Sequence, residues 1–296
     1  MVSALKYGFK AGWLWTADLA GCTVFPTQCT ICASPLARLS RAPICESCWE
    51  EMRAESGECC RRCGELLYAT RIYGGGEDCR ACRMAPPPFE RAVSFGPYEG
   101  AMRGAIHALK YGRVAGAGGP LGELLAEAMA QMAPGMPDAA AEELLVVPVP
   151  LHKRRQAERG FNQARALAGE AIRHLRRSHP EWRLELSSAS LVRQRATQAM
   201  AGLQPRERRA NLRDAFFVSD VDAVAGRHVL LVDDILTTGA TARACAKTLL
   251  KAGAASVRVA TLARAQRHFD GVSREAEQDA TDPVAQPDAG KRAFVY

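Results

Sequence analysis

The chain has 296 residues, a formal net charge of +7 and 48% apolar residues, enough for one large core with an appended module. No run reaches the ~18 uninterrupted apolar residues of a spanning helix, since even Trp13–Pro26 carries Asp18, and that stretch with Lys6 and Lys10 ahead of it makes a poor export signal. Residues 269–296 hold six acids against three bases, so the body is more basic than the whole, a balance that suits phosphate-bearing ligands or nucleic acid as well as a merely solvated surface.

Leu5, Phe9, Trp13 and Ala17 recur every four positions, which predicts an amphipathic helix within residues 1–28 that docks on the body rather than on a membrane surface. Ten of the eleven cysteines then fall between Cys22 and Cys82. Eight of them form CxxC pairs, Cys29/Cys32, Cys45/Cys48, Cys60/Cys63 and Cys79/Cys82. Such pairs suit metal thiolates better than structural disulfides, which points to a reducing cytoplasm. Residues 29–85 have few β-branched or aromatic side chains to build a core, so metal has to supply the stability. Two CxxC knuckles complete one tetrahedral four-cysteine Zn²⁺ site closed to substrate, and the spacing resembles a double zinc ribbon with two structural ions. Redox chemistry is the competing reading of such pairs. Sequential pairing within each half is the expectation, with interleaved ligation left open by the spacing alone; Cys22 and Cys59 have no evident partner.

Pro86-Pro87-Pro88 ends this module, because proline lacks an amide donor and fixes φ. Residues 86–265 then alternate in α/β rhythm: a strand at 92–95, helices at 101–111 and 121–131, a strand at 144–149, a helix built on Phe161, Ala164, Leu167, Ala168, Ile172 and Leu175, and a strand at 215–219. Val229–Val232 is a wholly apolar run suited to a strand covered on both faces, followed by a helix at 239–252 and an alternating strand at 257–261. From 266 to 296 Asp, Gln, Pro and Ala dominate without periodicity, and a disordered tail is expected.

The segment Val229–Thr241 runs from an apolar strand through Asp233 and Asp234 into Thr237-Thr238-Gly239-Ala240-Thr241. Free amides at the start of a helix, joined by threonine hydroxyls, can wrap a phosphate dianion, and Gly239 lets the backbone approach it. Two carboxylates just before that loop are placed to accept hydrogen bonds from the two ribose hydroxyls. These thirteen residues resemble the signature of type I phosphoribosyltransferases. That resemblance implies 5-phosphoribosyl 1-pyrophosphate (PRPP) as ligand, with Mg²⁺. After the strand at 144–149 comes a basic turn, Lys153 to Arg159, and then Gly160-Phe161-Asn162-Gln163 at a helix start, read as the pyrophosphate loop. Arg193 to Thr197, with Arg206, Arg208 and Arg209, occupies a strand-poor stretch in the position of a lid that closes over substrate.

Taken together, the double CxxC module, Ile106-His107-Ala108-Leu109-Lys110-Tyr111, Val147-Pro148-Val149-Pro150, Arg159–Gln163 and the phosphate loop resemble the ComF family. The resemblance implies an α/β fold with a type I phosphoribosyltransferase-like parallel sheet flanked by helices, behind a small double zinc ribbon. By matching position it implies that Asp233, Asp234 and Thr237–Thr241 bind ribose and 5-phosphate, and that Arg155, Arg159, Gly160, Asn162 and Gln163 serve the pyrophosphate. Arg195 and Thr197 satisfy the expected lid pattern Arg-x-Thr-x-x-Gln, but Met200 stands at its glutamine position. Family members serve natural transformation, which implies single-stranded DNA and the competence machinery as partners, and either transfer from PRPP to an acceptor or a non-catalytic scaffold as the activity.

Overall fold

A computed structural model describes residues 28–36, 42–53, 57–67, 77–110, 118–132, 143–195 and 214–266. The expected N-terminal helix, Cys22, Tyr111, the lid from Ala196 through Met200 to Arg209, and the tail beyond Gln266 lie outside these residues.

Five parallel strands form one sheet: β1 (Ala92–Pro97), β2 (Leu144–Pro148), β3 (Leu184–Leu186), β6 (His228–Leu236) and β7 (Ser256–Arg264), in the order β1-β7-β6-β2-β3. A separate antiparallel ribbon pairs β4 (Leu191–Arg193) with β5 (Phe216–Val218). Side chains alternate between two cores, as the two-residue period of a strand requires. Leu144, Val146, Leu230, Val232, Ala260 and Leu262 face one side, and Leu145, Val147, Val229, Leu231, Val257 and Val259 the other. Both faces are covered, which is why the central strands read as unbroken apolar runs. The first side packs against α3 (Gly100–Lys110), α4 (Gly118–Ala130) and α6 (Gln163–Ser178), the second against α7 (Ala240–Lys251).

The cysteine segments carry the short helices α1 (Glu46–Arg53) and α2 (Arg80–Met84). They are built into the molecule rather than strung ahead of it. Cys29, Ile44, Cys48 and Met52 belong to the same buried cluster as Leu230 and Leu262. The Glu51 carboxylate accepts a hydrogen bond from the Ala101 amide at 3.0 Å and so caps α3. The Arg62 carbonyl accepts from the Ala92 amide at 2.8 Å, joining the second cysteine segment to β1.

Two elements differ from expectation. The basic stretch expected as a turn is a helix, α5 (Lys153–Arg159), capped by His152 at one end and by left-handed Gly160, φ 77°, at the other. Its residues are good helix formers, but none is buried, so no apolar period betrays it. Arg193, expected in the lid, is the last residue of β4; it is buried, with its guanidinium 5.5 Å from the centroid of the Phe216 ring.

Candidate functional site

Each cysteine pair meets its sequential neighbour. Cys29, Cys32, Cys45 and Cys48 bring their sulfurs together, as do Cys60, Cys63, Cys79 and Cys82, all within 4.8 Å of one another in each set. The interleaved alternative is thereby removed. Tetrahedral zinc with Zn–S bonds of ~2.3 Å needs sulfurs ~3.8 Å apart, and the separations Cys29–Cys48, Cys32–Cys45 and Cys63–Cys79 are 3.9, 3.5 and 3.7 Å. Backbone amides of Ile31 and Cys45 point at the Cys29 sulfur, both at 3.4 Å, and the Cys79 amide at the Cys60 sulfur at 3.2 Å, which favours thiolate over thiol. Four thiolates this close repel one another: hydrogen bonding from Cys63 pulls the Cys60 thiol down while Cys60 pushes Cys82 up. A divalent cation removes that conflict, so the residues present fit two structural Zn²⁺ ions, which would cross-link each segment.

At the carboxyl end of the sheet, β6 continues past Val232 through Asp233 and Asp234 to Leu236. The acids thus lie inside the strand rather than at its end. Pairing with β2 stops at Val232, whereas pairing with β7 runs on to Leu236, so from Asp233 onward the strand edge on the β2 side is open. Asp233 accepts a hydrogen bond from the Asp234 amide at 2.9 Å. Burial, and then the neighbouring Asp234 charge, push the Asp233 carboxyl up to about 8. Asp234 pairs with Lys110 Nζ at 3.3 Å.

The loop Thr237–Thr241 turns directly into α7. Gly239 is the N-cap residue, in the left-handed region at φ 74°, and the Thr238 hydroxyl accepts from the Ala240 amide at 3.4 Å. A β-carbon on Gly239 would meet nothing nearer than Leu236 Cδ1 at 3.9 Å, so the backbone angle alone demands glycine. Gly239→Ala is expected to cost about 1–2 kcal/mol in chemical denaturation, with the loop's anion affinity falling alongside.

Lys110, Arg155, Glu158 and Arg159 line a cavity of about 300 Å³. Arg155 and Arg159 sit four residues apart on one face of α5, both half-buried, and Lys110 arrives at the end of α3. Three cations therefore face one acid in the wall, an arrangement that can hold a polyanion. Gln163 is buried, and its carbonyl oxygen accepts from Arg159 Nη1 at 3.1 Å. Asn162 caps α6 by accepting from the Arg165 amide at 3.3 Å and donates to the Val149 carbonyl at 3.0 Å. Both side chains brace the α5–α6 corner, and Gly160 gives it its left-handed turn. Arg195 is exposed beyond β4 and is not among the residues lining the cavity. Lys110, to which sequence patterning assigned no role beyond its place in the segment Ile106–Tyr111, is the group that joins the acids of β6 to the cations of α5. A lysine ending an amphipathic helix is an ordinary C-terminal feature, and nothing local distinguishes it.

Residues 22–83 match the double zinc ribbon domain family and residues 162–284 the phosphoribosyl transferase domain family. The chain is 35% identical over 243 residues to DNA utilization protein YhgH of Escherichia coli (strain K12), spanning 81% of this chain and 97% of that protein. It is 28% identical over 249 residues to competence protein F of Haemophilus influenzae, spanning 81% and 98%. Over 124 residues it is 36% identical to competence protein ComFC of Bacillus subtilis, spanning 42% and 45%.

Proposed function

The chain belongs to the ComF family, and from that premise we propose that it binds PRPP or a related ribose 5-phosphate at the carboxyl end of its sheet, in the service of DNA utilisation during natural transformation. The observation that carries this reading is the convergence of Lys110, Arg155 and Arg159 on one cavity, with Lys110 also paired to Asp234.

In this reading the ribose 2- and 3-hydroxyls donate to Asp233 and Asp234, and the 5-phosphate sits on the Thr237–Thr241 amides and hydroxyls. Arg155 and Arg159 take the pyrophosphate, held at their angle by Gln163 and by the Gly160–Asn162 corner. Lys110 moves from Asp234 toward the incoming anion. Asp233 and Asp234 offer the hard oxygens that suit Mg²⁺, which would neutralise the pyrophosphate. The reaction such a site serves is displacement at the anomeric carbon: an acceptor's electron pair forms the new bond while the carbon–oxygen bond to pyrophosphate breaks and pyrophosphate leaves with its electrons. Arg155 and Arg159 would stabilise that departing charge. The basic body outside the site suits single-stranded DNA, whose binding should weaken steeply with salt.

Asp233 gives a pH signature. Its proton leaves near 3.8 in the unfolded chain and near 8 in the folded one, so the folded state is favoured by this group below about pH 3.8 and loses that contribution as pH rises to 8. A ligand whose hydroxyls need the carboxylate must expel that proton. Affinity for PRPP with Mg²⁺ should therefore climb by up to about tenfold per pH unit between pH 6 and 8, beyond the ligand's own titration. Asp233→Asn should lack this extra slope; equal slopes in calorimetric titrations of the two proteins would remove Asp233 from the ribose contact. Pyrophosphate release assayed over a panel of nucleobases and amines tests transfer itself, with release above the acceptor-free rate expected for the true acceptor.

A further inference from the structure

Arg264 ends β7 with only 1% of its surface exposed, yet all five of its N–H donors are engaged. Nε donates to the Cys63 carbonyl at 3.1 Å. Nη1 donates to the carbonyls of Leu236, at 2.7 Å, and of Thr237. Nη2 donates to the buried Glu65 carboxylate at 2.8 Å and faces the Cys63 sulfur at 3.9 Å. One guanidinium thus grips a cysteine of the second four-cysteine site with one edge, and with the other the last residue of β6 and the first of the anion loop.

In a trans peptide the carbonyl and the next amide point in opposite directions. Drawing the Leu236 and Thr237 carbonyls onto Arg264 turns the Thr237 and Thr238 amides away from it, toward the side where the loop would meet an anion. Resting on the PRPP reading above, the geometry points to Arg264 as a positioning residue that couples the second zinc site to the phosphate loop. Metal at Cys60, Cys63, Cys79 and Cys82 fixes the Cys63 carbonyl and sulfur, these fix the guanidinium, and the guanidinium aims the loop. Linkage makes the effect reciprocal: PRPP must tighten zinc at this site by the factor by which zinc tightens PRPP. Among the described residues no side chain ties the first site to the anion loop in this way; its α1 contacts the start of α3 through Glu51.

The wild-type chain tests this without any substitution. Zinc release to a colorimetric chelator is followed with and without PRPP and Mg²⁺, and alkylation of the freed cysteines, mapped by mass spectrometry, assigns the ion. PRPP is expected to slow loss of the Cys60–Cys82 ion by about fivefold or more and to leave the Cys29–Cys48 ion unchanged. Arg264→Lys keeps a charge for Glu65 but cannot span both segments. It should retain both ions, weaken PRPP by about tenfold and lose the PRPP-dependent protection. Equal protection of both ions, or protection that persists in Arg264→Lys, overturns the coupling. If calorimetry registers binding and neither ion is protected, the coupling alone fails; if PRPP does not bind, the ligand reading fails with it.

Discussion

Cys48→Ser is expected to destabilise the whole chain, whereas Cys82→Ser should loosen mainly its own segment. The difference lies in where each site is anchored. Cys29 and Cys48 sit in the same buried cluster as the sheet residues Leu230 and Leu262, so freeing the first ion exposes apolar surface of the main core. Cys60, Cys63, Cys79 and Cys82 form a separate small cluster with Leu67 and Ala81. A structural zinc contributes ~10–16 kcal/mol to folding of a small metal-dependent domain at neutral pH, and a whole domain retains only ~5–15 kcal/mol. Loss of the first ion should thus lower the urea midpoint of the sheet's own unfolding. Loss of the second should lower that midpoint less, through the buried Glu65–Arg264 pair that joins this segment to β7, while the chain around Cys60–Cys63 and Cys79–Cys82 becomes open to protease. Far-UV circular dichroism in urea, limited proteolysis and zinc stoichiometry separate the two outcomes. Identical global melting of both variants would contradict the shared-core account.

The second large effect concerns the acids. Asp233→Asn together with Asp234→Asn should lower PRPP affinity by roughly 100-fold or more, since each hydrogen bond to a charged group contributes about 1.5–3 kcal/mol. Asp233→Asn alone should leave the apo protein no less stable, and above pH 8 more stable, because it removes a buried charge that the fold opposes, whereas Asp234→Asn also removes the pair with Lys110. The salt-dependent DNA binding proposed above, assigned to basic surface outside the cavity, should persist. A variant that unfolds, or one that binds PRPP normally, would each count against this assignment of the pair.

Much of the fold was legible in the chain. Val229–Val232 and Leu144–Val149 are apolar because helices cover both faces of the sheet, and Thr237–Thr241 stands out because it follows the apolar strand and the two acids in one thirteen-residue run. The cysteine spacing announced two metal sites but not their pairing, which is settled by how the chain folds back between the knuckles. Other features carried no local signal. Strands β3 and β4 span three residues each in polar surroundings, unlike β5, which the apolar run Ala215-Phe216-Phe217-Val218 marks. Helix α5 has no apolar face. Arg264 follows Thr261-Leu262-Ala263 as an ordinary strand-ending cation, and its partners Cys63 and Glu65 lie about 200 residues earlier. Arg193 read as part of a mobile basic stretch, yet it packs on Phe216 within electrostatic reach of Arg155 and Asp233.

In the proposed complex the amides opening α7 hold the ligand's phosphate beside the acids of β6. Hydrogen exchange at Thr237–Thr241, with and without PRPP and Mg²⁺, addresses it directly. Slowed exchange confined to those amides and to the α5–α6 corner is the predicted result. Unchanged exchange there under saturating PRPP, or protection appearing only at a distant surface, would contradict it.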